Sequence, residues 1–223
     1  MANSLRTIST AEAAFLADLP QRKINQVVDD KILPSRLYET SPRARRFVPM
    51  AAALAKFYFG TESVMAAHAR KEILQELVQR VQAMPNHEAV RVLSLSSLGH
   101  DSTWRVQPLE YIDVNVAGFV QIVMARLHTL EEINDHIESN PDVMQGAAVF
   151  KGTRVPVHLV VQFLRQGETV DVLQEDYPFL TPKLIELGRL YEALNPRRGR
   201  PRSLVTHYQD WQEVQNKVRA AHA

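Results

Sequence analysis

The chain has 223 residues, 45% of them hydrophobic and 23% charged, with a formal net charge of +1 and no cysteine. This is globular composition, with room for one large domain or several small ones. The lack of cysteine excludes a disulfide framework, a thiolate zinc site and a cysteine nucleophile, and it fits a reducing cytoplasm. The first twenty residues, "MANSLRTISTAEAAFLADLP", hold no basic stretch followed by an apolar core. No apolar run approaches the roughly 20 residues of a bilayer span, so the expectation is a soluble, cytoplasmic protein with no membrane partner.

The net charge hides a segregation. Residues 1–60 carry +4, residues 61–140 carry −5, residues 141–195 carry −2 and residues 196–223 carry +4. Two basic ends joined by an acidic middle point to two contact surfaces for anionic partners, against the plainer alternative of chance clustering.

In chain order, Thr10 is placed to cap a short helix with Ala13, Ala14 and Leu16 on one side, which Leu19-Pro20 ends. A second helix from about Gln21 to Lys31 buries Ile24, Val27 and Val28 and exposes Gln21, Arg22, Lys23, Asn25 and Gln26 near its start. Two short helices with a tight turn fit a helix-turn-helix whose second helix enters the major groove by its N-terminal end. A helical hairpin with no ligand fits them equally. The chain then leaves the helix at Pro34 and carries Arg36, Arg43, Arg45 and Arg46 through a turn-rich connector, expected to form a wing. Wing arginines would meet phosphates, whereas Gln21, Arg22, Asn25 and Gln26 have donors and acceptors for base edges. A third helix, rich in Ala, Leu and Phe, follows Pro49. Residues 7–60 together resemble the winged helix-turn-helix unit of MerR-type regulators.

Residues 61–84 keep Val64, Ala67, Ile73, Leu74, Leu77, Val78 and Val81 at helical spacing, as in a linker helix. Its apolar stripe serves either a dimer interface or packing on its own chain. "EAVRVLSLSSL" and "STWRVQPLEYIDVNV" alternate apolar and polar residues about Gly99-His100-Asp101, as in a small antiparallel hairpin or meander. From Ala117 to Glu138 the positions Phe119, Val123, Leu127, Leu130, Ile133 and Ile137 return to helical spacing, with a break expected near Thr129.

Beyond Asn140-Pro141, Gly146 and Gly152 flank an extended piece from Ala148 to Lys151, and Pro156 opens a helix that Gly167 ends. Thr169 caps a second helix holding Val172 and Leu173, Tyr177-Pro178 stops it, and Thr181-Pro182 starts a third with Leu184, Leu187, Leu190 and Tyr191. The third helix sets Glu186 and Glu192 against Lys183 and Arg189. It therefore lacks the excess positive charge of a surface facing phosphates, and protein contact is the expectation there. The elements "KGTRVPV", "LRQGETVDVLQEDYPFLTP" and "IELGRLYEA", over about residues 142–193, resemble a bacterial family catalogued as a domain of unknown function and associated with antitoxins. Where that family more usually has Lys-Pro, this chain has Ala147-Ala148. With the helix-turn-helix in front and an arginine-rich tail behind, the whole resembles a VapB-type antitoxin of the larger subgroup. That resemblance implies binding to its own promoter and neutralisation of a PIN-domain ribonuclease, as a homodimer or a toxin–antitoxin hetero-oligomer.

The tail, "NPRRGRPRS", places Arg197, Arg198, Arg200 and Arg202 within six positions, separated by Gly199 and Pro201, which are expected to keep them extended. Behind it Leu204, Tyr208, Trp211 and Val218 lie near one helical face, as in an amphipathic helix seeking a groove, with Trp211 as anchor. PIN-type ribonucleases, as the resemblance implies, hold magnesium or manganese in a carboxylate cluster, and an inserted guanidinium pairs bidentately with such carboxylates. The alternative is a stand-alone regulator, with Arg198 to Pro201 as an AT-hook in a narrow minor groove. An AT-hook needs no helix behind it.

No catalytic site, cofactor or metal is called for. Lys151 precedes Gly152 instead of following it, so "GAAVFKGT" is no phosphate-binding loop. His128, Glu132 and His136 share a helical face that a solvated surface explains better than a metal. The expected fold is mainly α with a small β element. It comprises a winged helix-turn-helix over 1–60, a linker helix and β-hairpin or meander over 61–140, a three-helix domain over 141–195, and an arginine-rich tail with amphipathic helix over 196–223.

Overall fold

The computed structural model describes residues 7–85, 91, 93, 104–109 and 112–196. Among the described residues helix predominates, with three small antiparallel sheets. The chain opens with β1 (Ile8–Ser9), α1 (Thr10–Ala17) and α2 (Gln21–Asp29). Ser9, one residue before the expected Thr10, is the cap. Its hydroxyl accepts from the Glu12 amide at 3.2 Å, and its own amide donates to Glu12 Oε2 at 2.6 Å, a reciprocal capping box. The second helix ends at Asp29, short of Lys31; it buries Ile24 and Val27 and leaves Val28 only partly covered.

Strands β2 (Tyr38–Thr40) and β3 (Arg45–Phe47) form the expected hairpin behind the helices. The strand β1 pairs with β3 on its other side, with Ile8 opposite Phe47. Phe47 is 1% exposed, so this three-stranded sheet anchors in the core. Next come α3 (Pro49–Gly60), with Pro49 in its first turn, and α4 (Ala67–Gln82). The stripe Ile73, Leu74, Leu77, Val78 and Val81 is buried on its own chain, so it is not a free dimer face. Val64 and Ala67 lie off that stripe: Val64 is 78% exposed in the turn before α4, because the helix starts later than its spacing predicted. Arg70, although charged, is buried; Nη1 donates to the Tyr58 carbonyl and the guanidinium lies over the Tyr58 ring, 4.2 Å from its centroid. That cation–π contact and hydrogen bond offset part of the desolvation of its charge, since the buried Nε has no hydrogen-bond partner among the described residues, and they tie α4 to α3.

The central hairpin consists of β4 (Arg105–Leu109) and β5 (Ile112–Asn115), so both strands come from the second of the two alternating stretches. Its register shifts between Val106 and Leu109, around Pro108, which has no amide to donate. Gly99-His100-Asp101 and most of the first stretch lie outside the described residues.

Helix α5 (Ala117–His136) runs unbroken through Thr129, whose hydroxyl donates to the Ala125 carbonyl at 3.4 Å within the helix. The expected break is absent because nothing in that turn removes a backbone bond. Ile137 leaves the helix for β6 (Ile137–Ser139), which pairs with β7 (Ala148–Phe150). The C-terminal helices follow: α6 (Val157–Arg165), α7 (Val170–Asp176) and α8 (Pro182–Leu194). Thr169 and Thr181 cap α7 and α8 as expected, and Gly167 takes φ +100° where α6 ends. Leu173 is buried, while Val172 is 43% exposed.

The buried side chains form two clusters, and α5 contributes to both. Val120, Val123, Leu127 and Leu130 join the N-terminal cluster; Ile133 and the adjoining Ile137 join Phe150, Val157, Leu173 and Leu187 in the second. The second core thus begins before residue 141, the expected domain start. Between the two units, Lys183 donates to Glu132 Oε2 at 2.8 Å. The hydrogen bond from Lys183 holds the Glu132 carboxyl below its ordinary value, and the same bond raises Lys183. The contribution is therefore present at neutral pH and lost as pH falls through the lowered carboxyl value, and it is modest because both groups meet water.

From its middle, α5 also braces the turn after α1. Asp18 caps α1 in the left-handed region, φ 56°. Arg126 Nη1 donates to the Phe15 carbonyl at 2.7 Å and Nη2 pairs with Asp18 Oδ1 at 3.0 Å; Lys56 from α3 donates to the Ala17 carbonyl at 3.1 Å. Two cations thus stand at the negative end of α1, where the Phe15 carbonyl also accepts from the Asp18 amide at 3.1 Å. Arg126→Ala is expected to destabilise the fold by about 1–3 kcal/mol, read from the urea midpoint, because it strips a charged donor from a partly buried carbonyl. Ile133→Ala is expected to cost about 2–5 kcal/mol in the same measurement, as for a buried aliphatic truncation.

Candidate nucleic-acid interface

The N-terminal face is built outward from α2. Asp18-Leu19-Pro20 forms the turn, and Pro20 in extended conformation precedes the helix. Burial of Ile24 and Val27 fixes the rotation of the helix and turns Gln21, Arg22 and Gln26 to solvent. No acidic residue lies in its first turn, so the partial positive charge of the helix start is not offset there.

Four of the residues expected on this face are engaged within the chain. Lys23 is half-buried, pairs with Glu62 at 3.0 Å and sits 4.2 Å from the Phe59 ring centroid. Asn25, also half-buried, accepts from Arg45 Nη1 at 3.1 Å through its backbone carbonyl and at 3.2 Å through Oδ1. Arg45 Nη2 continues to Asp29 Oδ1 at 2.6 Å. Lys23, Asn25 and Arg45 are therefore tied down by this packing, contrary to their expected outward role. Gln26 is exposed and donates to Asp30 Oδ2 at 2.9 Å.

The connector arginines divide by strand alternation. Arg46 points outward beside the buried Phe47, Arg45 points back to α2, and Arg43 stands in the exposed turn 41–44. The turn is closed by Ser41, whose amide and hydroxyl both donate to the Ala44 carbonyl, at 2.8 and 3.0 Å. Arg36 is exposed in the short turn before β2, where its carbonyl accepts from Arg91. Gln21, Arg22, Gln26, Arg36, Arg43 and Arg46 are thus the exposed remainder of the expected set. Reading by composition missed Asp18, Lys56 and Arg126, which set the turn. Arg126 lies 111 positions from Phe15, and no local pattern announces it.

The expected partner-binding residues Arg197, Arg198, Arg200, Arg202, Leu204, Tyr208, Trp211 and Val218 lie outside the described residues. Beside the last described turn of the chain is a groove of 390 Å³ lined by Ser139, Gln145, His158, Tyr191, Glu192 and Asn195 among others. One wall is the turn Met144–Gly146, with φ of 46°, 55° and 81° at Met144, Gln145 and Gly146. Two consecutive non-glycine residues in the left-handed region are uncommon, and Ser139 Oγ helps to hold them by donating to the Gly146 carbonyl at 2.8 Å. Burial raises Tyr191 above the ordinary phenol value, reinforced by the Glu192 charge. Of the histidine-acid face on α5, the Glu132 carboxylate is engaged by Lys183, and the Glu132 backbone carbonyl accepts from His136 Nδ1 at 2.9 Å. No group of three metal-ligating side chains occurs among the described residues, and none of the described helices is long and apolar enough to cross a membrane.

Comparison with known proteins places these features. A curated protein of Sinorhizobium fredii (strain NBRC 101917 / NGR234), "Uncharacterized protein y4eO", is 29% identical over 196 residues, 87% of this chain and 84% of that protein. The X-ray crystal structure of Rv2018 from Mycobacterium tuberculosis is 21% identical, with a TM-score of 0.38 over 82% of this chain and 96% of that one. Residues 137–191, which span the strand pair β6–β7 and most of the three helices after it, match the family described as "Protein of unknown function (DUF433)".

Proposed function

We propose that this chain is the antitoxin of a type II toxin–antitoxin pair, which binds its own promoter and neutralises a PIN-domain ribonuclease. The observation that carries the DNA half is the joint exposure of Gln21, Arg22 and Gln26 on α2 and of Arg43 and Arg46 on the adjoining hairpin. Amide and guanidinium groups at the start of a helix suit base edges in the major groove, and arginines on a neighbouring ribbon suit phosphates. The match of residues 137–191 supports the antitoxin half, through the association of that family with antitoxins noted above. In this reading the tail arginines Arg197, Arg198, Arg200 and Arg202 enter the carboxylate cluster of the nuclease, and Leu204, Tyr208, Trp211 and Val218 seat the helix behind them. The protein acts as a homodimer or within a hetero-oligomer with its toxin.

Two measurements test the two halves separately. Arg22→Ala is expected to weaken binding to the duplex upstream of the gene by roughly 5- to 150-fold, the equivalent of 1–3 kcal/mol for a bidentate base contact, with little change for a scrambled duplex. Equal affinities of variant and parent would remove α2 from the DNA surface. A chain ending at Asn195 is expected to keep its fold and lose silencing of the co-expressed nuclease encoded next to it. If that chain silences as well as the full one, the tail assignment fails; if it silences but loses DNA affinity, the tail is a minor-groove contact instead.

A further inference from the structure

The guanidinium of Arg45 spans one turn of α2. It donates from Nη1 to the Asn25 carbonyl and Oδ1 at 3.1 and 3.2 Å and from Nη2 to Asp29 Oδ1 at 2.6 Å. Asn25 and Asp29 are four residues apart and so lie on one face of the helix, the face toward the hairpin. A planar fork with fixed donors fits this arrangement, and a lysine's point charge does not. The tip of the hairpin needs such a tie, because β1 pairs only with Arg46 and Phe47 and leaves the Thr40–Arg45 end as a two-stranded ribbon, which is marginal by itself. Phe47 roots one end of β3 in the core, and Arg45 fixes the other end to α2.

We propose that Arg45 is a positioning residue, which rests on the DNA-binding reading above: it locks the hairpin to α2 so that Arg43 and Arg46 keep a fixed offset from Gln21, Arg22 and Gln26. Arg45 itself touches no phosphate, and Asn25, whose Oδ1 is committed to the lock, reads no base. Asp29 belongs to the DNA-binding apparatus although its charge opposes DNA. Preorganisation of the two contact surfaces is what the lock contributes to affinity. The neighbouring carboxylate, Asp30, is held by Gln26 and takes no part.

The test follows from the sign of the Asp29 effect. Asp29→Asn removes a negative charge beside a DNA-facing surface, so simple electrostatics predicts tighter binding. The lock predicts weaker binding, roughly tenfold, from loss of a charge-assisted bond. Full-length protein and the upstream duplex are titrated from 50 to 200 mM salt, with thermal melts to verify folding. Arg45→Ala is expected to weaken binding with an unchanged salt slope, whereas Arg43→Ala lowers the slope by about 0.9, the value for one lost phosphate contact. The exchanged pair Arg45→Asp with Asp29→Arg restores the ion pair but not the two bonds to the Asn25 oxygens, so it is expected to recover part of the affinity lost by Arg45→Ala. Tighter or unchanged binding by Asp29→Asn, or a slope reduced by Arg45→Ala as by Arg43→Ala, overturns the proposal. A parent protein with no preference for the upstream duplex over a scrambled one removes the DNA reading itself, an outcome distinct from failure of the lock.

Discussion

Everything in this molecule hangs on α5 having one continuous backbone. Its 20 residues extend about 30 Å, and its buried side chains belong first to the N-terminal core and then to the second core. A helix curves only gently while its backbone bonds last, so the units at its two ends cannot tilt sharply against each other without breaking that ladder or uncovering Leu130 or Ile133. The polar contacts follow the same division. Arg126 serves the turn after α1, and Glu132, less than two turns further on, serves α8. A family that matches only residues 137–191 thus marks a unit whose core is completed by a helix that begins outside it.

Local signals carried much of the fold into the sequence. Capping threonines, Pro156, Pro182 and Gly167 act within one turn of themselves, so the three C-terminal helices could be placed from residue type alone. The departures come where tertiary packing decides. Ser9 caps α1 in place of Thr10, because pairing of β1 with β3 holds Ser9 extended and leaves Thr10 to enter the helix. Val64 fits a helical period that the chain does not use. Thr129, a weak helix former in isolation, stays helical because Leu127 and Leu130 on either side are buried.

The interface was legible only as composition. Arg43, Arg45 and Arg46 look alike in sequence, yet alternation along β3 sends one arginine to solvent and its neighbour to α2. Likewise Lys23 resembles Arg22 until Glu62 and Phe59, brought round by α3, claim it. In each case the deciding partner lies well outside any helical or strand period, and periodicity cannot see it. The arginine tail differs again: its spacing is explicit in the sequence, and its structure lies outside the described residues.

The brace on α1 has a bearing on synthesis. The Phe15 carbonyl meets its guanidinium only through Arg126, a residue made 111 positions later. Ribosomes release α2 first and its support long afterwards, so a nascent or prematurely ended chain carries α2 on a turn with one of its two cations missing. Until translation has passed the middle of the message, the N-terminal face lacks both that donor and the α5 side chains that complete the core beneath it.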